Sequence, residues 1–213
     1  MTAPTLVMAT RNPGKIRELK AILKGLSLKL LSLKDFPELP EILEQGATFG
    51  ENAAAKAREV ARLTHLPALA DDSGLEVAAL GGRPGVFSAR YALDQTSPAP
   101  PRDEDNWRKL LRKLQGVPFK ERQAQFVCEI ALALPDGRLF GARGECQGVI
   151  ALAPQGDQGF GYDPVFWVPA YGRTMAQLGP AVKNRISHRA RALKELKALI
   201  TSLKEELKKF SKG

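Results

Sequence analysis

Hydrophobic positions along the chain fall into short runs and helical stripes whose spacing predicts strands and helices in alternation. Thr5 to Ala9 is a buried strand, and Ile16, Leu19, Ile22 and Leu23 then recur at helical spacing. Between them, Thr10 to Lys15 is a strand-to-helix turn, with Asn12 suited to the N-cap and Pro13 to the first helical position, where a missing N–H costs nothing. Leu28 to Leu33 predicts a second strand, and Phe36 to Gln45 a proline-containing acidic connection. Thr48-Phe49-Gly50-Glu51 matches a capping box and opens a helix whose stripe of Ala53, Ala54, Ala57, Val60 and Ala61 is small enough for close approach to a sheet. Leu66 to Ala70 then reads as a buried strand that delivers Asp71-Asp72-Ser73-Gly74 at its carboxyl end, where Gly74 permits a bend.

Beyond these acids, Leu75 to Leu80 is apolar except for Glu76, and Gly81 to Gly85 is a turn. Ser97 to Pro101 is a proline-rich loop before a helix with Trp107, Leu110, Leu111 and Leu114 at core spacing, closed by Gly116. Ala124, Phe126, Cys128, Ile130, Leu132 and Leu134 alternate as in a half-buried strand, and Pro135-Asp136-Gly137 turns it into a second strand from Leu139. Gly159 to Pro164 precedes the apolar run Val165 to Val168. Ser187 is placed to cap the longest helix, striped by Leu193, Leu196, Leu199, Ile200, Leu203 and Leu207.

Composition narrows the class. A chain of 213 residues with 44% hydrophobic and 26% charged residues suits one globular domain, or one domain with a lobe. No apolar run approaches a membrane span and nothing reads as a signal peptide, so no membrane partner and a cytoplasmic location are expected. Cys128 and Cys146 lie in apolar segments without metal-ligand spacing, as buried reduced thiols do. The net charge of +9 favours a polyanionic partner, either nucleic acid or a small phosphorylated molecule.

Several segments could carry chemistry. Backbone amides and the helix dipole after Asn12, with Lys15 one turn in, make an anion site, though the same residues also make a plain capped helix, and the Walker pattern is absent. Alternating side chains along a strand point Asp71 and Asp72 in opposite directions. One can hold a cation while the other fixes the turn, or the pair is an ordinary Asp-rich turn. Phe160 or Tyr162 could stack on a planar base or fill the core, Glu44 and Lys56 could be site residues or exposed charges, and His188 could be a site residue or a structural or exposed side chain.

Taken together, Thr10 to Lys15, Thr48 to Ala53 with Lys56, Ala70 to Gly74, Gly82 to Tyr91, Phe160 to Pro164 and Ser187-His188-Arg189 resemble the inosine triphosphate pyrophosphatase family, in order and spacing from near Leu6 to about Leu199. The resemblance implies an α/β fold with a long central mixed sheet flanked by helices, two lobes with an active-site cleft between them, and a homodimer. It implies Mg²⁺-dependent hydrolysis of ITP, dITP and XTP to the monophosphate and pyrophosphate. Carried over by position, Thr10, Arg11, Asn12, Pro13, Gly14 and Lys15 bind the triphosphate with Lys56, Glu44 and Asp72 hold the metal, and Asp72 is also the base on the attacking water. Ser73, Phe160, Gly161, Tyr162, Asp163, Lys183, His188 and Arg189 contact the nucleotide.

On this assignment, donors from Arg189 and the local backbone meet the 6-oxygen of hypoxanthine or xanthine, whereas adenine presents another donor. Mismatches of that kind can reject a substrate by roughly 10⁴-fold. Ala181-Val182 before Lys183, and Tyr162 where some members carry tryptophan, depart from the family pattern. Two rivals stand beside this reading: an aspartyl-phosphate phosphatase, for which the DxD arrangement is missing, and a basic nucleic-acid-binding protein.

Overall fold

β1 (Thr5–Met8) is buried at every position and pairs in parallel with β2 (Lys29–Ser32) on one side and β3 (Ala68–Val77) on the other. These lie in a computed structural model that describes residues 3–93 and 100–210, so Ser97 to Ala99 of the proline-rich loop fall outside the described residues. With β4 (Gln123–Ala133), β5 (Leu139–Ile150), β6 (Phe166–Val168) and β7 (Arg173–Thr174), the strands hydrogen-bond in the order β2-β1-β3-β4-β5-β6-β7. β6 is antiparallel to β5 and to β7, so the sheet is mixed, as expected. The turn from β4 into β5 is tight: Gly137 N, at φ 94°, donates to Leu134 O, and Leu134 N donates to Arg138 O as the chain returns.

The helices are α1 (Pro13–Leu23), α2 (Phe49–Thr64), α3 (Asp103–Lys113), α4 (Gly179–Ile186), α5 (His188–Ser202) and α6 (Lys204–Lys209). The C-terminal stripe breaks at Leu203 into α5 and α6, so the 16-residue α2, not the last helix, is the longest. Thr48 caps α2 by accepting from Glu51 N, but Glu51 returns its carboxylate to Ala47 N, one residue before the box predicts.

The chain divides into two compact units. The first is built from residues up to Asp72, Cys128–Gly144 and Arg189 onward; the second comprises Ser73–Val127 and Glu145–His188. In the first, Leu6, Met8 and Leu69 pack with Leu19 and Leu23 of α1 and with Leu193, Leu196 and Ile200 of α5, while Ala53, Ala57, Val60 and Ala61 of α2 pack with Val7 and Ala70. In the second, Leu75, Leu110, Leu114, Phe126 and Phe166 form a separate core. Each such aliphatic or aromatic side chain contributes roughly 1.5–3 kcal/mol on burial. Both cysteines are buried thiols outside any disulfide.

β3 departs most from expectation. Rather than ending at the paired acids, the strand continues through Asp71, Asp72, Ser73 and Gly74 to Val77. The acids are buried, and they stay in the ladder because cations and an amide satisfy their carboxylates, which overrides the turn preference of Asp-Asp-Ser-Gly.

Candidate active site

At the start of α1, Asn12 Oδ1 accepts from Gly14 N at 2.8 Å and Lys15 N at 3.1 Å, and Thr10 Oγ1 accepts from Asn12 N at 3.2 Å. Pro13 stands at the first helical position. The helix end is therefore a side-chain cap with its dipole toward Thr10 and Asn12. Lys15 adds a half-buried ammonium to it. Arg11 turns away to donate to Leu39 O at 2.9 Å, which ties the turn to the acidic connection carrying Glu44.

Alternation along β3 sends its two acids to different partners. Asp71 Oδ2 receives the fork of Arg189, from Nε at 3.1 Å and Nη2 at 2.7 Å, and lies 3.2 Å from Lys15 Nζ. Arg189 Nη1 also pairs with Glu18 of α1, and Arg189 is 1% exposed. Asp71 thus lies within a strand rather than at a turn, and it anchors an ion-pair chain Glu18–Arg189–Asp71–Lys15. Arg189, expected at the purine 6-oxygen, bonds Asp71 and Glu18 in this structure.

Asp72 Oδ2 instead accepts from Asn52 Nδ2 at 2.9 Å. Lys56 of α2 pairs with Glu44 and donates to Asp71 O at 2.9 Å, so the lysine links the acidic connection to β3. Asn52 stood in the Thr48 to Ala53 block with no role assigned to it and Glu18 in no block, although each is a polar residue set among the apolar positions of its helix.

These surroundings separate the two carboxyls. Burial alone would raise Asp71, but Arg189, then Lys15 and Lys56, hold it well below the usual carboxylate range. Burial, and after it the charge of Glu44, raise Asp72, and Lys56, Lys15 and the Asn52 amide only partly offset them. Lys56 is disfavoured as a cation by burial, yet Asp71 and Glu44 keep it above its ordinary value and charged. Since folding favours ionised Asp71, its contribution to stability is present above the unfolded value of about 3.9 and is lost as pH falls through the depressed folded value. The difference in melting temperature between wild type and Asp71→Asn, followed from pH 7 to pH 3, is expected to be widest at neutral pH and to narrow below about pH 4. A difference that stayed constant would show that Asp71 ionisation is not linked to folding.

In the second unit, Asp163 accepts from Phe160 N at 3.0 Å and pairs with Lys183, whose Nζ stands 4.4 Å from the centroid of the Phe160 ring. Gly159, at φ 89°, makes this loop possible, because a Cβ there would lie 2.0 Å from Asp163 Oδ2. Gly161 N donates to Asp103 of α3 at 2.6 Å. Tyr162 is placed in the core, 4% exposed with its hydroxyl donating to Ser88 O at 2.8 Å, so Phe160 is the aromatic left half-buried at the loop. His188 is buried and stacks on Phe126 at 4.8 Å, and Ser73 is half-buried on β3.

Fold and side chains define an α/β protein with a cationic, carboxylate-bearing site suited to a phosphorylated ligand, and a lysine–acid–aromatic loop suited to a ring. Residues 6–199 match the Ham1 family model, and the chain belongs to that family. It is 55% identical over 192 residues to the dITP/XTP pyrophosphatase of Geobacter sulfurreducens, covering 90% of this chain and 94% of that one. It is 50% identical to the protein of the same name from Geobacillus kaustophilus, covering 90% and 91%. Among solved structures, a HAM1 protein from Coxiella burnetii matches with TM-score 0.82 at 42% identity, covering 93% of this chain and 99% of that one. The Staphylococcus aureus Ham1 protein matches with TM-score 0.80 at 40% identity, covering 93% and 98%.

Proposed function

We propose that the protein hydrolyses ITP, dITP and XTP to the monophosphate and pyrophosphate, as a cytoplasmic homodimer using Mg²⁺, with no stable nucleic-acid partner. The names of its relatives support the substrates and the reaction. The observation that carries the chemistry is Asp72: a buried carboxyl raised in pKa beside a second acid, with two lysines of the same unit nearby.

The donor set fits magnesium. Among the described residues no group of three or more His, Cys, Asp or Glu side chains could enclose a metal. Mg²⁺ needs no such cage, since it takes one or two carboxylates with phosphate oxygens and water. Glu44 and Asp72 would hold it, and their mutual repulsion, visible in the raised Asp72, is what a cation relieves. When bound, it offsets phosphate charge and acidifies water.

The chain's own residues supply the remainder. Thr10, Asn12 and Lys15 seat the triphosphate at the α1 N-terminus, and Lys56 joins them. Asp72 orients the water that attacks the α-phosphorus and accepts its proton. Lys15 and Lys56 stabilise charge building on the departing pyrophosphate. Phe160 stacks on the base, Lys183 and Asp163 hold that loop in shape, and Ser73, Gly161, His188 and Arg189 complete nucleotide recognition, Arg189 through the 6-oxygen.

Product analysis tests this directly. With Mg²⁺, ITP is expected to yield IMP and pyrophosphate, and ATP to react far more slowly. Orthophosphate release would indicate phosphatase chemistry. Equal rates on the two nucleotides would remove the proposed selectivity, and salt-sensitive DNA binding without turnover would favour a nucleic-acid-binding protein.

A further inference from the structure

Asn52 lies one turn into α2, 1% exposed, on a buried face that it shares with Phe49, Ala53, Lys56, Ala57, Val60 and Ala61. A buried amide on such a face costs free energy unless both ends are satisfied. Here both are: Oδ1 accepts from Gly46 N at 2.7 Å, and Nδ2 donates to Asp72 Oδ2 at 2.9 Å. The orientation follows from chemistry, since a backbone N–H can only donate and the carboxylate can only accept. The seat is tight, because a Cβ on Gly46 would come within 2.8 Å of Asn52 Oδ1 and of Glu51 Cβ. Gly46 stands two residues after Glu44 on the acidic connection.

We propose that Asn52 is a positioning residue that fixes one orientation of the Asp72 carboxylate and, through Gly46, sets the loop carrying Glu44 in register with it. This rests on the reading above that Glu44 and Asp72 act together. One amide thereby fixes two carboxylates that come from different segments, one on a strand and one on an irregular loop. The strand needs little help to stay in place, but the loop has no ladder, so the Gly46 bond does for Glu44 what β3 does for Asp72. Partners of this kind behind metal-binding carboxylates typically change affinity or activity by about 10- to 100-fold.

Asn52→Asp and Asn52→Ala separate the two arms. Asn52→Asp keeps shape and the bond from Gly46 but replaces the donor facing Asp72 with an acceptor, whereas Asn52→Ala removes both. For each variant, kcat and KM for ITP would be measured with the melting temperature, together with Mn²⁺ affinity by electron paramagnetic resonance in complex with an α,β-imido analogue of ITP. Both are expected to lower kcat by roughly 10- to 100-fold and weaken Mn²⁺ binding about 10-fold, with KM for ITP within about threefold. Normal kcat and Mn²⁺ affinity in Asn52→Asp beside an impaired Asn52→Ala would assign Asn52 to the loop alone and overturn the proposal. So would a fall in melting temperature with catalytic constants unchanged. Asp72→Asn run in parallel distinguishes the two levels: if it keeps turnover, the active-site reading itself has failed, and if it is inactive while both Asn52 variants behave as wild type, only the role of Asn52 has.

Discussion

Asp72→Asn is expected to lower kcat on ITP by roughly 10³-fold, within the 10² to 10⁴ that a positioned base supplies, without lowering thermal stability. The two halves of that outcome have one cause. Burial and the nearby Glu44 charge raise the folded pKa of Asp72, so its ionised form weakens the fold once pH rises through the unfolded value and toward the folded one. At neutral pH an uncharged amide removes that cost, and its oxygen can still accept from Asn52 Nδ2. Melting temperature and ITP turnover measured on the same preparation check it. Retention of more than about a tenth of wild-type kcat would show that Asp72 is not the base, and a large drop in melting temperature would show that the carboxylate stabilises the fold. Loss of function joined to unchanged or improved stability is the pattern of a residue kept for chemistry at some expense to the fold.

Arg189→Ala should act in the opposite sense on stability. Removing a fully buried guanidinium leaves Asp71 without its fork and Glu18 without its partner, and breaking a buried pair in this way costs about 3–5 kcal/mol. For a chain of this length that lowers the melting temperature by roughly 10 °C. Arg189→Lys should recover only part of it, since an ammonium supplies charge but not the planar fork on Asp71 Oδ2. The preference for ITP over ATP is expected to narrow in Arg189→Ala. If turnover of both nucleotides fell alike, Arg189 would act through Asp71 and Lys15, and base selection would rest on the loop around Phe160. Calorimetric melting and paired rate measurements on the two nucleotides decide this.

Local patterns carried much of the fold. The apolar run before Thr10, the Asn12-Pro13 start of α1, the capped alanine-rich α2 and the alternation from Ala124 to Leu134 are short-range signals. Neighbouring residues settle them, through periodicity and through amides that need a cap. Where longer-range partners intervened, local preference lost. Asp-Asp-Ser-Gly favours a turn, yet β3 runs through it because Arg189, distant in the chain, holds Asp71. Tyr162 offered an aromatic for stacking, but its hydroxyl finds Ser88 O and the ring joins the core, leaving Phe160 at the loop.

The candidate site divides along the same line. By itself the sequence determined which residue types are present and the order of the blocks they stand in, and hence the family resemblance, because these are properties of the chain's own order. Only that resemblance singled out Asp72; periodicity and spacing alone do not distinguish Asp71 from Asp72, since adjacent acids on a strand are equivalent until something stands on each side. Tertiary structure gives each its own surroundings: Arg189 and Lys15 meet Asp71 and keep it ionised, while burial and the charge of Glu44 raise Asp72 against the amide that Asn52 donates to it. The physical reason is that a carboxyl's protonation depends on burial and on charges within a few ångströms, and those neighbours come from segments that only folding brings together.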